Sequence, residues 1–206
     1  MTLTGGPVFW ILLVLAVASV IIFIERLIDL RRAQIDYQDF LKGVINILDL
    51  DNDAEALAIC EDSTSPVASV VAAAIRHRNS SARVLRETVD SQGRAEIGRL
   101  DRRLASLAII AQIAPLIGLL GTLIGFIRTV LVLNAHEVVS RPELLNGAVE
   151  AMVSAALGLA VMIPVMVMYS SLRVRLDRIV VELEAAASQI VGYISARREE
   201  KREQVR

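Results

Sequence analysis

The sequence predicts an all-α integral membrane protein with three transmembrane helices, two of them extending far into the cytoplasm beside a small helical cytoplasmic region. Three observations carry this. Uncharged stretches recur at 1–24, 105–127 and 151–172, each about as long as the 20 apolar residues needed to cross a hydrocarbon core. Hydrophobic residues make up 54% of the chain and charged ones 22%, yet the charges are confined to the segments between and after the apolar stretches. Lys and Arg are also distributed unevenly: none precedes Arg26, twelve lie in 26–103, one in 134–146 and eight in 173–206, with Arg128 near the end of the second stretch. By the positive-inside rule the N-terminus and the 134–146 connection are outside, and residues 26–104 and the tail are cytoplasmic.

Residues 1–25 form the first transmembrane helix. Ala16-Val17-Ala18 imitates a signal-peptide cleavage site, but no basic residue precedes the apolar run, whereas Arg26, Arg31 and Arg32 follow it. That is the reverse of a signal peptide's charge order, so the segment is expected to stay as an anchor.

Residues 26–104 form a cytoplasmic region punctuated into helices. Asp51 or Asn52 caps a helix through AEALAICED, and Ser65-Pro66 supplies an N-cap and an N1 proline to VASVVAAAIRHR. Asn79-Ser80-Ser81 opens a longer helix with Val84, Leu85, Val89, Ile97, Leu100 and Leu104 at buried spacing. Nothing stops it before the bilayer. It is expected to run from about Ser81 to Leu133, roughly 80 Å at the usual rise per residue, with Gly93 and Gly98 as weak points.

The second transmembrane helix occupies 105–133, a periplasmic loop 134–146, the third transmembrane helix 147–172 and a cytoplasmic helical tail 173–206. In the tail, Leu176, Ile179, Leu183, Ile190 and Ile194 recur at helical spacing among Arg and Glu. The mixed charge of the RREEKREQVR end and a net charge of −1 speak against a nucleic-acid partner. Cys60 stands alone, and His77 and His136 fall on opposite sides of the membrane, so no metal site, disulfide or cofactor is expected.

The second crossing contains Pro115, Gly118, Gly121, Thr122 and Gly125, residues that weaken an isolated helix. Positions 108, 111, 115, 118, 122, 125 and 129 make one small, mildly polar face, opposite Ile109, Ile113, Leu116, Leu120, Leu123 and Ile127. Small faces let membrane helices approach closely, with Thr122 bonded to a carbonyl one turn back; the alternative is a wall of an ion path. On the third crossing Gly147, Glu150, Ala151, Ser154, Ala155 and Gly158 share a side, and Pro164 permits a bend. Glu150 is either a carboxylate facing a bundle interior or wet cavity, or an interfacial one stabilised by the helix N-terminal dipole.

The string IAPLIGLLGTLIGFIRT, followed after a short loop by GAVEAMVSAALGLAVMIPVMVMY, resembles the MotA/TolQ/ExbB proton-channel family. GGPVFWILLVLAVASVIIFIERLIDLRR resembles the family's first crossing, and SPVASVVAAAI its cytoplasmic region. Three crossings place the likeness nearest ExbB/TolQ. The resemblance implies a pore-forming subunit, a homopentamer, of an inner-membrane motor driven by proton-motive force and performing no covalent catalysis. Its partner would be an ExbD/TolR-like single-span protein carrying a membrane aspartate, its beneficiary TonB-type transport or the Tol-Pal system. A non-conducting oligomeric scaffold is the rival.

Position by position, the resemblance assigns Thr122 and Glu150 to the ion pathway, and matches Pro115 and Pro164 to the family's helix prolines. The family usually has a threonine where this chain has Ala155; Ser154 offers a hydroxyl one residue earlier, about 100° round the helix. Either Ser154 turns to the pore or the polar ring is Thr122 alone, which favours protons over sodium. The sequence does not separate ExbB from TolQ roles.

Overall fold

Apolar runs bounded by capping residues produce six helices in the computed structural model, which describes residues 7–33, 36–135 and 141–204. They are α1 (Pro7–Ala33), α2 (Tyr37–Asp49), α3 (Asp53–Asp62), α4 (Pro66–Arg76), α5 (Ala82–Ala135) and α6 (Arg141–Gln204). Among the described residues all regular structure is helical. Stretches of α1, α5 and α6 are long and apolar enough to cross a membrane.

The caps follow the local chemistry. Asp36 accepts from the backbone N–H groups of Gln38 and Asp39 to start α2, a helix the sequence did not single out. Asn52, not Asp51, caps α3 by accepting from Glu55 N–H; Asp51 instead takes a left-handed φ of 55° in the tight turn from α2. Ser65 caps α4 with Pro66 behind it, and Ser81 Oγ accepts from Val84 N–H at the head of α5.

The chain divides into two units, one made of 1–26 and 104–172, the other of 27–103 and 173–206. In the second unit α2, α3 and α4 pack with the early turns of α5 and the late turns of α6 around Leu41, Val44, Val70, Val71, Leu85, Val89, Leu183 and Ile190. All five expected tail positions, Leu176, Ile179, Leu183, Ile190 and Ile194, are buried. On α5, Leu85, Val89, Leu100 and Leu104 are buried and Ile97 packs partly on the core, but Val84 is 43% exposed. Val84 immediately precedes the buried Leu85, so the helix turns it away from the core.

Gly93 does not interrupt α5. A Cβ there would meet Leu183 Cδ2 at 3.3 Å, so the glycine admits α6 closely. Arg197 reaches back from α6 to the C-terminal end of α2, donating to the carbonyls of Leu48 and Asp49 and pairing with Asp51 at 3.1 Å. A cation there satisfies orphan carbonyls and matches the helix dipole. Arg173 pairs with Asp101, joining α6 to α5 within this unit.

Cys60 is buried in this core; burial pushes its thiol up to about 11, with the Glu61 carboxylate acting in the same direction. Because thiolate is the reactive form, Cys60 is expected to react with a thiol reagent at least about tenfold more slowly in the folded protein than after denaturation. Equal labelling rates in the two states would contradict this burial.

Helices α5 and α6 extend into the loop expected at 134–146: α5 continues through Ala135 and α6 begins at Arg141. Residues 136–140, with His136, lie outside the described residues, as do 1–6 of the first expected crossing and 205–206 of the tail.

Candidate functional site

Small residues bring α5 and α6 together as an antiparallel hairpin in the first unit. A Cβ on Gly118 would lie 2.9 Å from Ser154 O and 3.0 Å from Gly158 Cα. One on Gly121 would meet Ser154 Cβ at 2.7 Å, and one on Gly125 would meet Ala151 Cβ at 3.2 Å. Further along, Gly147 faces the Thr129 side chain. The helices meet backbone against backbone, the arrangement that small residues permit in membranes.

This contact resolves the expected small face of α5 into three stripes, each with a seven-residue step. Ala111, Gly118 and Gly125 are buried along its middle. Ala114 and Gly121 are buried along one edge, which continues to the exposed Arg128; Val8 of α1 lies 3.0 Å from a Cβ placed on Gly121, so α1 meets this edge there. Ala108, Pro115 and Thr122 line the other edge and stay half-buried, while Thr129, the next residue at this step, packs against Gly147. The bulky opposite face, Ile109, Ile113, Leu116, Leu120, Leu123 and Ile127, is exposed, available to lipid or to neighbouring chains.

On α6 the middle of the contact is Gly147, Ala151, Ser154 and Gly158. Ser154 is held in it against Gly121, its hydroxyl donating to Glu150 O at 3.1 Å. Ala155 lies about 100° further round, and Glu150 about 100° back from Ala151. Because the helices run antiparallel, a step forward on either moves a side chain to the same edge. Ala155 therefore shares the edge of Thr122, and Glu150 shares that of Arg128. The expected single α6 face is thus divided: Ser154 is in the seam, with Glu150 and Ala155 to either side.

Glu150 Oε1 and Arg128 Nη1 are 3.5 Å apart. The helix-dipole account of Glu150 does not fit, because α6 begins nine residues earlier at Arg141, and the dipole acts within about the first turn. Arg128 is the partner that the sequence reading missed. Its signal was present: in a helical hairpin, a cation late in one crossing and a carboxylate early in the next come to similar depth.

Thr122 Oγ1 donates to Leu119 O at 2.6 Å, the carbonyl bond one turn back that its residue type predicts. Its lone pairs remain open to accept a proton donor on the half-buried edge. Pro115 and Pro164 lie inside unbroken helices; Pro115 is half-buried and Pro164 exposed. Among the described residues no His, Cys, Asp or Glu cluster suits a metal ion.

The fold and this site define a multi-pass helical membrane protein with a glycine-sealed hairpin that presents a hydroxyl on one edge and an ion pair on the other. The model of the MotA/TolQ/ExbB proton channel family matches residues 62–185, which include α4, the whole of α5 and the entire seam, and the chain belongs to that family. It is similar to a putative biopolymer transport protein ExbB homolog of Methanothermobacter thermautotrophicus, 26% identical over 180 residues that cover 84% of this chain and 62% of the relative. It is also similar to the biopolymer transport protein ExbB of Aquifex aeolicus, 37% identical over 73 residues (35% of this chain, 49% of the relative). The Tol-Pal system protein TolQ of Haemophilus influenzae is 32% identical over 84 residues (41% and 37%). The matches span less than two thirds of each relative's length.

Proposed function

We propose that this protein is the pore-forming subunit of an inner-membrane motor that converts proton-motive force into mechanical work. Its copies form a homopentamer around an ExbD/TolR-like single-span partner whose membrane aspartate carries the proton, and the work serves TonB-type transport or the Tol-Pal system. The N-terminus and residues 134–146 are periplasmic, while 26–104 and 173–206 are cytoplasmic.

The observation that carries this reading is the half-buried edge Ala108, Pro115 and Thr122, within the region matched by the proton-channel family. It is a small, hydroxyl-bearing surface shaped for a further helix, and the carrier comes with that helix. Since Ser154 is occupied in the seam, Thr122 supplies the side-chain hydroxyl opposite Ala155. One hydroxyl suits proton hopping through water better than sodium, which needs several oxygen ligands. The rival scaffold, oligomerising through its small seams, loses its contact surface because those glycines are already filled within one chain.

The test is co-expression with a single-span partner, purification, counting of chains and measurement of proton flux in vesicles. A complex of fixed stoichiometry that passes protons is expected; a complex that passes none would leave the scaffold reading. Ala155→Thr is expected to assemble normally and keep at least about half of wild-type flux, because the position lies on the open edge. Loss of assembly would mean that Ala155 is tightly packed.

A further inference from the structure

Arg128 and Glu150 form a charged pair inside two helices that are otherwise apolar at this level. Arg128 is seven residues from the end of α5 and Glu150 nine from the start of α6, about 10 and 14 Å along the helices. Charges at such positions are costly and are found paired or facing a polar interior. Two close approaches flank the pair, Gly125 on Ala151 and Thr129 on Gly147, so the helices cannot separate there without both contacts opening. The pair lies on the edge of the hairpin away from Thr122, with the two side chains 57% and 46% exposed.

We propose that Arg128 is a positioning residue: its guanidinium holds the Glu150 carboxylate across the hairpin as a fixed ionic tie, so that Glu150 sets the spacing of α5 and α6 and does not itself carry protons. A carboxylate relaying protons along the Thr122 edge would have to face that edge, whereas Glu150 turns to the opposite one and meets a cation. Removing either member leaves the other charge without its partner in a stretch of the hairpin where the nearest α5 and α6 neighbours are uncharged. The contact is a single Nη1–Oε1 approach at 3.5 Å, so what the tie requires at position 128 is a long cationic side chain.

This inference rests on the ion-pathway reading above, and one experiment separates their failures. The full complex with its single-span partner is reconstituted in vesicles, and proton flux is measured per assembled complex for wild type, Arg128→Gln, Glu150→Gln, Arg128→Lys and the reversal Arg128→Glu/Glu150→Arg. Each neutral single variant is expected to lose about tenfold in flux, Arg128→Lys to keep most of it, and the reversal to recover to within about threefold of wild type. Recovery by the reversal supports the tie, because an arginine at position 150 cannot relay a carboxylate's proton. A reversal no better than Glu150→Gln, in complexes that assemble fully, overturns it and makes Glu150 a carrier. Unchanged flux in Arg128→Gln overturns it too. Variants that fail to assemble are judged by Arg128→Lys, whose loss of flux in an intact complex would again count against the tie. Wild-type complexes that pass no protons would sink the pathway reading itself.

Discussion

Gly158→Val is expected to abolish the α5–α6 hairpin and with it any assembled complex. A Cβ at this position would lie 2.9 Å from Ala114 O and 2.9 Å from Gly118 Cα, and both are backbone atoms. No rotamer change relieves such a clash, so the helices must move apart, which unseats the Gly121–Ser154 and Gly125–Ala151 contacts together. Overpacking a fitted core typically costs about 1–3 kcal/mol, and forcing two backbones apart belongs at or above the upper end. Gly158→Ala already adds the clashing atom and should lower the melting temperature measurably. Gly98→Ala is the control: nothing lies within 4 Å of its Cβ position, and replacing a helical glycine there should stabilise by up to about 1 kcal/mol. The readouts are the yield of monodisperse complex and its thermal melting in detergent. A Gly158→Val protein that assembles and melts like wild type would refute the backbone contact.

The three crossings were legible because membrane helices announce themselves by length, and the α4 cap because Ser-Pro leaves little local choice. The tail's buried positions were legible because all five follow one helical phase. Val84 was misassigned through a phase error of one residue, which only the position of the packing partner resolves. Helix α2 was overlooked although Asp36 caps it, since a capping signal alone does not distinguish a short amphipathic helix from a loop.

The site was legible in its residue types and not in its edges. Gly118, Gly121, Gly125 and Gly158 were seen as packing residues and do pack, within one chain. The sequence could not decide whether Ser154 faces a lumen or a neighbour, because that depends on where α5 meets α6. It also left Glu150 between two explanations, and the start of α6 at Arg141 removes the dipole while the position of Arg128 supplies a partner. Composition reveals that a face is small; the register of the contact decides which of its residues remain open.

That register carries the last expectation: Thr122→Val should preserve assembly and reduce ion-driven output to background. Valine is nearly isosteric with threonine, so the half-buried edge keeps its shape, and the Oγ1 bond to Leu119 O that is lost contributes only about 1 kcal/mol within a continuous helix. The stability change is therefore small. The functional change is large, because Thr122 is the hydroxyl opposite Ala155, with Thr129 packed against Gly147 and Ser154 turned into the seam. A proton passing to and from a partner carboxylate requires an oxygen that accepts and donates, and a methyl group does neither. Thr122→Ser, which keeps the oxygen and gives up only the methyl, should retain flux. Proton flux in vesicles, normalised to assembled complex, separates the cases: equal flux in Thr122→Val and wild type would remove Thr122 from the pathway, whereas loss in both Val and Ser variants would make its role one of packing. Only loss in Val with retention in Ser identifies the hydroxyl as the working group.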